Sequence, residues 1–119
     1  MSLAMSPTPT DRPAPTFTGK FAELTQDLLF GDIWQRPELS PRERSLVTVA
    51  ALVALYRLEQ LPFHLQRARD NGVSTAQLSE VITHLAFYSG WPTAASALML
   101  LEQAVGEQQP VPQPDAELE

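Results

Sequence analysis

Residues 40–56 read SPRERSLVTVAALVALY, and this stretch decides the fold. Ser40, Pro41 and Glu43 predict a helix start, because a capping serine, a proline in the first helical turn and a glutamate three residues after the serine form a capping box. From residue 46 to residue 56 the predicted helix is apolar on nearly every side. A helix with one core-facing side keeps its other side polar, so we expect this helix to be buried on several sides.

Helical signals continue on both sides of this helix, which we expect to end at about residue 58. Apolar residues at spacings of four, three and four, from residue 17 to residue 28, predict an earlier helix that ends near Gly31. Two prolines and a second capping signature predict three later helices, at residues 62–71, at residues 74–89 and from residue 92 onward. With five helices and no strand pattern, the sequence predicts an all-α domain.

Composition divides the 119 residues into one domain, at residues 17–105, and two polar ends. Residues 1–16 are rich in proline, serine and threonine, and residues 106–119 combine proline, glutamine and acidic residues. Neither end has enough apolar surface to offset the entropy of ordering, so we expect both to be loosely ordered. The sequence shows neither a secretory signal nor a membrane-spanning stretch, so we expect a cytoplasmic protein with no membrane partner.

Charge and residue usage exclude several classes of function. The net charge is −6, and residues 17–105 carry seven basic and nine acidic side chains without a basic stripe, so nucleic acid is not expected as a partner. The chain has no cysteine, which excludes disulfides, zinc-thiolate sites and thiol chemistry. The two histidines lie twenty residues apart with no companion ligand at metal spacing, so we predict no metal site.

The size of the domain predicts self-association. A domain of this size buries only about two thirds of the surface that its unfolded chain exposes, and it cannot cover a helix that is apolar on every side. We therefore expect a homo-oligomer, with the helix at residues 46–56 or the alanine-rich last helix at the interface.

Residues 57–64 read RLEQLPFH and hold the strongest candidate site. If Pro62 lies in the first turn of a helix, His64, Glu59, Gln60 and Arg57 meet at one corner of the domain. Such a corner offers an acid–base imidazole, a carboxylate that sets its protonation and a cation that holds an anionic substrate. In the alternative interpretation, Glu59 and Gln60 cap backbone amides and His64 fills a half-buried turn.

Two further groups of side chains are weaker candidates. Tyr88 lies one turn after His84, so the two rings share a helix face and either line a pocket or sit at the surface. Trp34 precedes the start of the second helix, and Arg44 lies inside its first turn, where a cation is unfavourable to the helix dipole. That conflict favours an anion-binding role for Arg44 over a solvated one.

Three segments together carry a resemblance to a known family: GDIWQRPELSPRERSLVTVAALVAL at residues 31–55, EQLPFHLQRARDNGVS at residues 59–74 and EVITHLAFYSGWPTA at residues 80–94. Over residues 17–105 the chain resembles the carboxymuconolactone decarboxylase family. The resemblance implies an all-α subunit of five to six helices with the alkylhydroperoxidase-D-like fold, assembled as a trimer or hexamer.

The same superfamily includes thiol peroxidases, whose two cysteines precede a histidine by seven and four residues. Matched onto His64, those positions are Arg57 and Gln60, which form no thiolate. The peroxidase activity is therefore excluded for this chain.

The decarboxylase branch implies a cofactor-free lyase of aromatic catabolism that acts on a small carboxylated lactone or related organic acid. The resemblance implies His64 as the acid–base residue, Glu59 as its orienting carboxylate and Arg44 or Arg57 as the anion contact. The other substrate-binding candidates are Gln60, Trp34, His84 and Tyr88.

One position departs from the family pattern, because Gln60 stands where a glutamate is expected four residues before the histidine. An amide neither acts as a base nor carries charge. Two alternatives therefore stay open: a non-catalytic small-molecule-binding or assembly subunit, and a lactone isomerase or hydrolase that uses the same pocket.

Overall fold

The computed structural model describes residues 18–108, which form two units at residues 18–36 and 37–108. All regular structure in residues 18–108 is helical, which confirms the all-α prediction. None of the helices in this part of the chain has the length and apolarity needed to cross a membrane. The ends predicted to be loosely ordered lie almost entirely outside the described residues.

The first unit is a short run of helical segments. Helix α1 spans Gly19–Leu24, a π-helical segment spans Thr25–Phe30 and a 3₁₀ turn spans Ile33–Gln35. The prediction of a helix that ends near Gly31 is therefore confirmed in extent, although its second half is wound as a π-helix. Its apolar side chains stay exposed, and Phe21 is 72% exposed, so these residues do not build a core within this unit.

The second unit contains four helices, at Pro41–Ala54 (α2), Leu61–Asp70 (α3), Thr75–Ser89 (α4) and Trp91–Gln108 (α5). Both predicted capping boxes are present. In α2, the Ser40 backbone amide donates to Glu43 Oε1 at 2.8 Å, and the Glu43 amide donates to Ser40 Oγ at 3.1 Å. In α4, Ser74 and Gln77 form the same reciprocal pair, at 2.9 and 3.0 Å.

Helix α2 ends at Ala54, so the predicted end near residue 58 is wrong. The Arg57 amide donates to the carbonyl of Leu52 at 2.8 Å, and the Tyr56 amide donates to that of Val53 at 3.0 Å. These two bonds form a Schellman motif, which closes a helix through a residue in the left-handed conformation. Glycine usually takes that position, but here Tyr56 does, with a φ of 61°. The sequence therefore gave no sign of the early stop.

Two hydrogen bonds show how the helices run. At one end, the Asn71 side chain after α3 donates to Ser45 Oγ in the first turn of α2, at 3.0 Å. At the other end, the Tyr56 hydroxyl after α2 lies 3.2 Å from Ser96 Oγ near the start of α5. Successive helices are therefore antiparallel. We call these ends of the bundle the Ser45 end and the Tyr56 end.

Each helix of this bundle packs mainly against two others. Helix α2 contacts α3 and α4, and α5 contacts the same two helices, so α3 and α4 occupy opposite corners. The core lies between the four helices and in the turn before α4. Its buried residues are Val49, Val53, Leu61, Leu65, Ala68, Val73, Leu78, Ile82, Ala94, Ala97 and Leu101.

Within a single chain, helix α2 is not buried on several sides, as the sequence predicts for the assembled protein. Val49 and Val53 are fully buried, whereas Val47 and Leu55 are each 61% exposed. The apolar outer side of the helix therefore faces outward in the single chain. Oligomerisation, which the sequence predicts as the way to cover it, stays a prediction at this point.

Candidate active site at the start of helix α3

His64 lies in the first turn of α3, at the Tyr56 end of the bundle. Gln60 is the residue that precedes the helix, and its side chain makes no capping hydrogen bond. The capping role that the alternative interpretation gave to Gln60 is therefore wrong. Pro62 lies within the first two helical positions, as predicted, where its missing amide costs no intrahelical hydrogen bond.

The His64 ring is half-buried, and its Nδ1 atom is buried. The Phe63 ring meets it edge-on, with ring centroids 5.0 Å apart and planes at 88°. Burial lowers the pKa of His64 below its ordinary value of 6.5, and the positive charge of Arg67 lowers it further. Both effects disfavour the imidazolium, so the resting ring is neutral at neutral pH.

Arg67 is a site residue that sequence reasoning missed. It follows Phe63 by four residues and His64 by three, and both spacings make neighbours on a helix surface. Its guanidinium carbon lies 5.1 Å from the centroid of the Phe63 ring, and its Nε atom is buried. Helical spacing from His64 was the signal that could have found it.

A hollow of about 180 Å³ adjoins this group of side chains, and we call it the Arg67 hollow. Its lining residues are Phe63, Gln66, Arg67, Asp70 and Asn71. The hollow is small and His64 does not line it, but its lining includes Arg67, which lowers the pKa of that imidazole, and Phe63, which meets the ring edge-on. These are the features that acid–base chemistry on an anion requires.

A larger cleft of about 590 Å³ lies between the start of α4 and the end of α5, at the Ser45 end. Its polar groups are the Thr75 and Ser79 hydroxyls and the Glu102 carboxylate. Neither this cleft nor the Arg67 hollow is lined by a histidine, but the lining of the Arg67 hollow includes Phe63 and Arg67, the two side chains that interact with His64. We place the candidate active site at His64.

Arg57 and Glu59 lie in the connection between α2 and α3, at the same end as His64, and both side chains are exposed. A carboxylate beside an imidazole raises the pKa of the ring, because it favours the charged form. The observed shift runs in the opposite direction. The orienting role of Glu59 and the anion-binding role of Arg57 stay predictions.

The structure does not bring Arg44 to His64 within one chain. Arg44 precedes Ser45, which holds Asn71 at the far end of α3. His64 comes seven residues before Asn71, a distance of about 10 Å along a helix that rises 1.5 Å per residue.

His84 and Tyr88 form a stacked pair on α4, with ring centroids 4.9 Å apart. Both side chains are exposed, and α4 lies at the corner opposite α3. Phe87 and Trp91 form a second exposed pair, which meets edge-on at 5.8 Å. Because α3 and α4 occupy opposite corners of the bundle, the structure does not bring His84 and Tyr88 to His64 within one chain.

Trp34 lies in the first unit, where it is 8% exposed and packs against Phe30 with ring centroids 5.8 Å apart. Its role as a pocket residue stays a prediction. In residues 18–108, no three His, Asp or Glu side chains lie together as metal ligands would.

The fold and the candidate site together define a class: a helical-bundle protein with a half-buried histidine in the first turn of a short helix. Residues 19–103 match the carboxymuconolactone decarboxylase family, and the chain belongs to this family. The resemblance seen in the sequence is thereby confirmed.

Two curated relatives extend the comparison. The chain is 37% identical over 87 residues to a 4-carboxymuconolactone decarboxylase of Acinetobacter baylyi, a match that covers 73% of this chain and 65% of the relative. It is 30% identical over 96 residues to a nitrosuccinic acid decarboxylase of Metarhizium robertsii, covering 81% of this chain and 67% of the relative. The match thus spans about two thirds of each relative's length.

Proposed function

We propose that this protein is a decarboxylase that needs no cofactor and acts on a small carboxylated lactone or related organic acid. The observation that carries the proposal is the state of His64, which is half-buried, neutral at rest and adjacent to a cation. Membership of the family and the names of both relatives support the same reaction type.

Decarboxylation breaks the bond between a carbon atom and its carboxylate and leaves the electron pair on the remaining carbon. An adjacent electron-accepting group takes up that pair, and the carbon then takes one proton, so one substrate anion and one proton give the product and CO₂. A conjugated lactone carbonyl or a nitro group is such an acceptor, and the names of the two relatives' substrates each contain one. The protein therefore has to bind an anion and deliver a proton.

His64 is suited to deliver that proton. Because burial and Arg67 disfavour the imidazolium, a proton that the ring does carry is held weakly and is transferred readily to carbon. A bound anion reverses part of this effect, because negative charge near the ring favours its protonated form. The ring thus takes a proton from solvent when the substrate is bound and passes it on after CO₂ leaves.

The second candidate is a small-molecule-binding subunit without activity, and Gln60 favours it. The Gln60 side chain is exposed beside the first turn of α3 and makes no capping bond, so nothing in the helix start explains its presence. The resemblance places a glutamate at this position in active decarboxylases. A lactone isomerase or hydrolase stays the third interpretation.

We also propose that the protein is a homo-oligomer, a trimer or a hexamer. Large apolar side chains of the second unit are exposed in the single chain, among them Val47, Leu55, Phe87, Trp91 and Met99. Exposed apolar surface of this extent marks an interaction site. Light scattering should give a mass three or six times that of the 13.1 kDa chain. The cytoplasmic location expected from the sequence stays a prediction.

The test of the proposed function is CO₂ release from a panel of carboxylated lactones and nitro-substituted acids. We expect turnover by the natural chain, its loss in His64→Ala and its retention in Lys20→Ala, a control at an exposed residue of α1. Circular dichroism would verify that both variants keep their helices. Full turnover by His64→Ala would remove His64 from the mechanism. Turnover by Gln60→Glu alone would favour the non-catalytic interpretation of the natural chain.

A further inference from the structure

The cleft between the start of α4 and the end of α5 lies at the Ser45 end of the bundle, and we call it the α4–α5 cleft. Its volume of about 590 Å³ is within the range of about 300–1,000 Å³ that is typical of sites for small molecules. His64 lies at the opposite end of the bundle, so the proposed decarboxylation does not use this cleft. The cleft is therefore a candidate for a second binding site.

The α5 side of the cleft is mostly apolar. Leu98, Leu101 and Val105 follow one another at spacings of three and four residues, so they lie along one side of the helix. Leu101 is 4% exposed and belongs to the core, whereas Leu98 and Val105 are partly buried. These three side chains suit the hydrocarbon part of a ligand.

Three side chains with oxygen atoms also line the cleft. Thr75 and Ser79 lie one turn apart on α4 and contribute hydroxyl groups, and Glu102 on α5 contributes a carboxylate. Within residues 18–108, Glu102 forms no ion pair. All three groups accept hydrogen bonds, and the carboxylate only accepts them, so the cleft is richer in acceptors than in donors.

The charge of the cleft favours a cation. Glu102 carries the charge in the lining, and the sequences of α4 and α5 contain neither lysine nor arginine. The carboxyl-terminal end of α5 adds the negative end of a helix dipole, which also favours positive charge. The start of α4 has the opposite polarity, but its capping box already engages the backbone amides of Ser74 and Gln77. An anion would therefore meet a carboxylate and few free amide donors.

We propose that the α4–α5 cleft binds a primary alkylamine in its ammonium form. A primary ammonium group has three N–H donors, and the Glu102 carboxylate and the hydroxyls of Thr75 and Ser79 supply acceptors for them. The hydrocarbon chain of the amine lies against Leu98 and Val105. This inference goes beyond the proposed decarboxylase function and does not rest on it.

The test uses the full chain and three probes that share a six-carbon chain: hexylammonium, hexan-1-ol and hexanoate. NMR titration of the methyl groups of Leu98 and Val105 measures binding in this cleft and not at His64. We expect hexylammonium to bind most tightly and hexanoate most weakly, because Glu102 attracts the one and repels the other. Equal affinities for hexylammonium and hexanoate would overturn the inference. Failure of hexylammonium to bind would overturn it too, and this result is expected if a second copy of the chain covers the cleft.

The first variant removes the charge of the cleft and keeps the size of the side chain. Glu102→Gln should weaken hexylammonium binding about fivefold, as the loss of an exposed ion pair does, and should leave hexanol binding nearly unchanged. Glu80→Gln is the matched control, because it makes the same change at an exposed residue of α4 that does not line the cleft. Equal effects of the two substitutions would mean that the net charge of the chain attracts the amine, and would overturn the inference.

The second variant narrows the cleft without changing its charge. Gly106 lines the cleft, and a β-carbon added there would meet no atom within 4 Å, so Gly106→Leu places its β-carbon without a clash. This variant should weaken the binding of hexylammonium and of hexanol to a similar degree, because both need the same space. Circular dichroism would verify that the helices are kept. Hexylammonium binding that is unchanged in both Gly106→Leu and Glu102→Gln would place the amine outside the cleft and overturn the inference.

Discussion

The side-chain amide of Asn71 donates a hydrogen bond to the hydroxyl of Ser45 at 3.0 Å, and Ser45 is completely buried. This bond joins the residue that ends α3 to the first turn of α2. It therefore helps to fix the position of α3 along the axis of α2, and with it the position of His64 along the bundle axis. The candidate site at one end of the bundle depends on a polar contact at the other.

We predict that Ser45→Ala destabilises the protein by about 1–3 kcal/mol, because the partly buried Asn71 amide loses its best acceptor. The other acceptor within reach, the Pro41 carbonyl, is 3.5 Å away. Urea unfolding followed by circular dichroism measures the change. Ser96→Ala is the control, since the partner of the Ser96 hydroxyl is the hydroxyl of Tyr56, an exposed residue. An equal loss of stability in the two variants would contradict the prediction.

A second prediction concerns the backbone of Tyr56. Its φ of 61° is unfavourable for a side chain with a β-carbon, by about 1–2 kcal/mol. Tyr56→Gly and Tyr56→Ala both remove the ring and its contact with Ser96, but only glycine relieves the backbone. We therefore expect the glycine variant to be about 1 kcal/mol more stable than the alanine variant in urea unfolding. Equal stability would show that the left-handed position costs nothing here.

Tyr56 also shows where sequence reasoning reached its limit. The capping boxes at Ser40 and Ser74 were predictable, because each depends on residues three positions apart whose side chains bond only to nearby backbone. The end of α2 depends on a tyrosine in a conformation that glycine usually takes, so residue type gave no signal. The end of α2 is instead determined by packing between residues that are distant in sequence.

The candidate site was predictable to a similar degree. His64 stood out because a proline and a helix start are local features. Arg67 was missed because its contribution comes from two contacts, with Phe63 and with His64, that only helical geometry supplies. Sequence reasoning grouped three other residues with His64 by residue type: Trp34, Arg44 and His84. Residue type does not tell in which unit, at which end or at which corner of the bundle a residue lies.

The third prediction tests the start of α2. Ser40→Ala should cost about 1 kcal/mol of stability, as the loss of a capping side chain does. The backbone and hydroxyl of Ser40 lower the pKa of Glu43 below its ordinary value of 4.5, so this carboxylate stabilises the folded state above that value and loses its effect as the pH falls through the lowered pKa. NMR titration of Glu43 should show its pKa return only part of the way toward 4.5 in Ser40→Ala, because the Ser40 backbone amide, the larger cause, remains. An unchanged pKa would mean that the Ser40 hydroxyl does not contribute to the shift.

The fourth prediction concerns the titration of His64. Its pKa in the folded chain lies below 6.5, chiefly because of burial and secondly because of Arg67. Arg67→Met should therefore raise this pKa only part of the way, since burial remains. Two-dimensional NMR of the ring as a function of pH measures the shift. Arg69→Met is the control, and it should leave the His64 pKa close to that of the natural chain.

The same shift has a consequence for stability. Because the unfolded chain binds a proton at His64 more tightly than the folded chain does, the free energy of unfolding falls as the pH drops through 6.5 toward the folded pKa. In His64→Gln this contribution is absent. The difference in unfolding free energy between the natural chain and His64→Gln should thus stay constant above about pH 7 and change in favour of the variant as the pH is lowered. Parallel curves from pH 7 to about pH 5 would mean that His64 is no harder to protonate in the folded chain than in the unfolded one, and the neutral imidazole on which the proposed proton transfer depends would be lost.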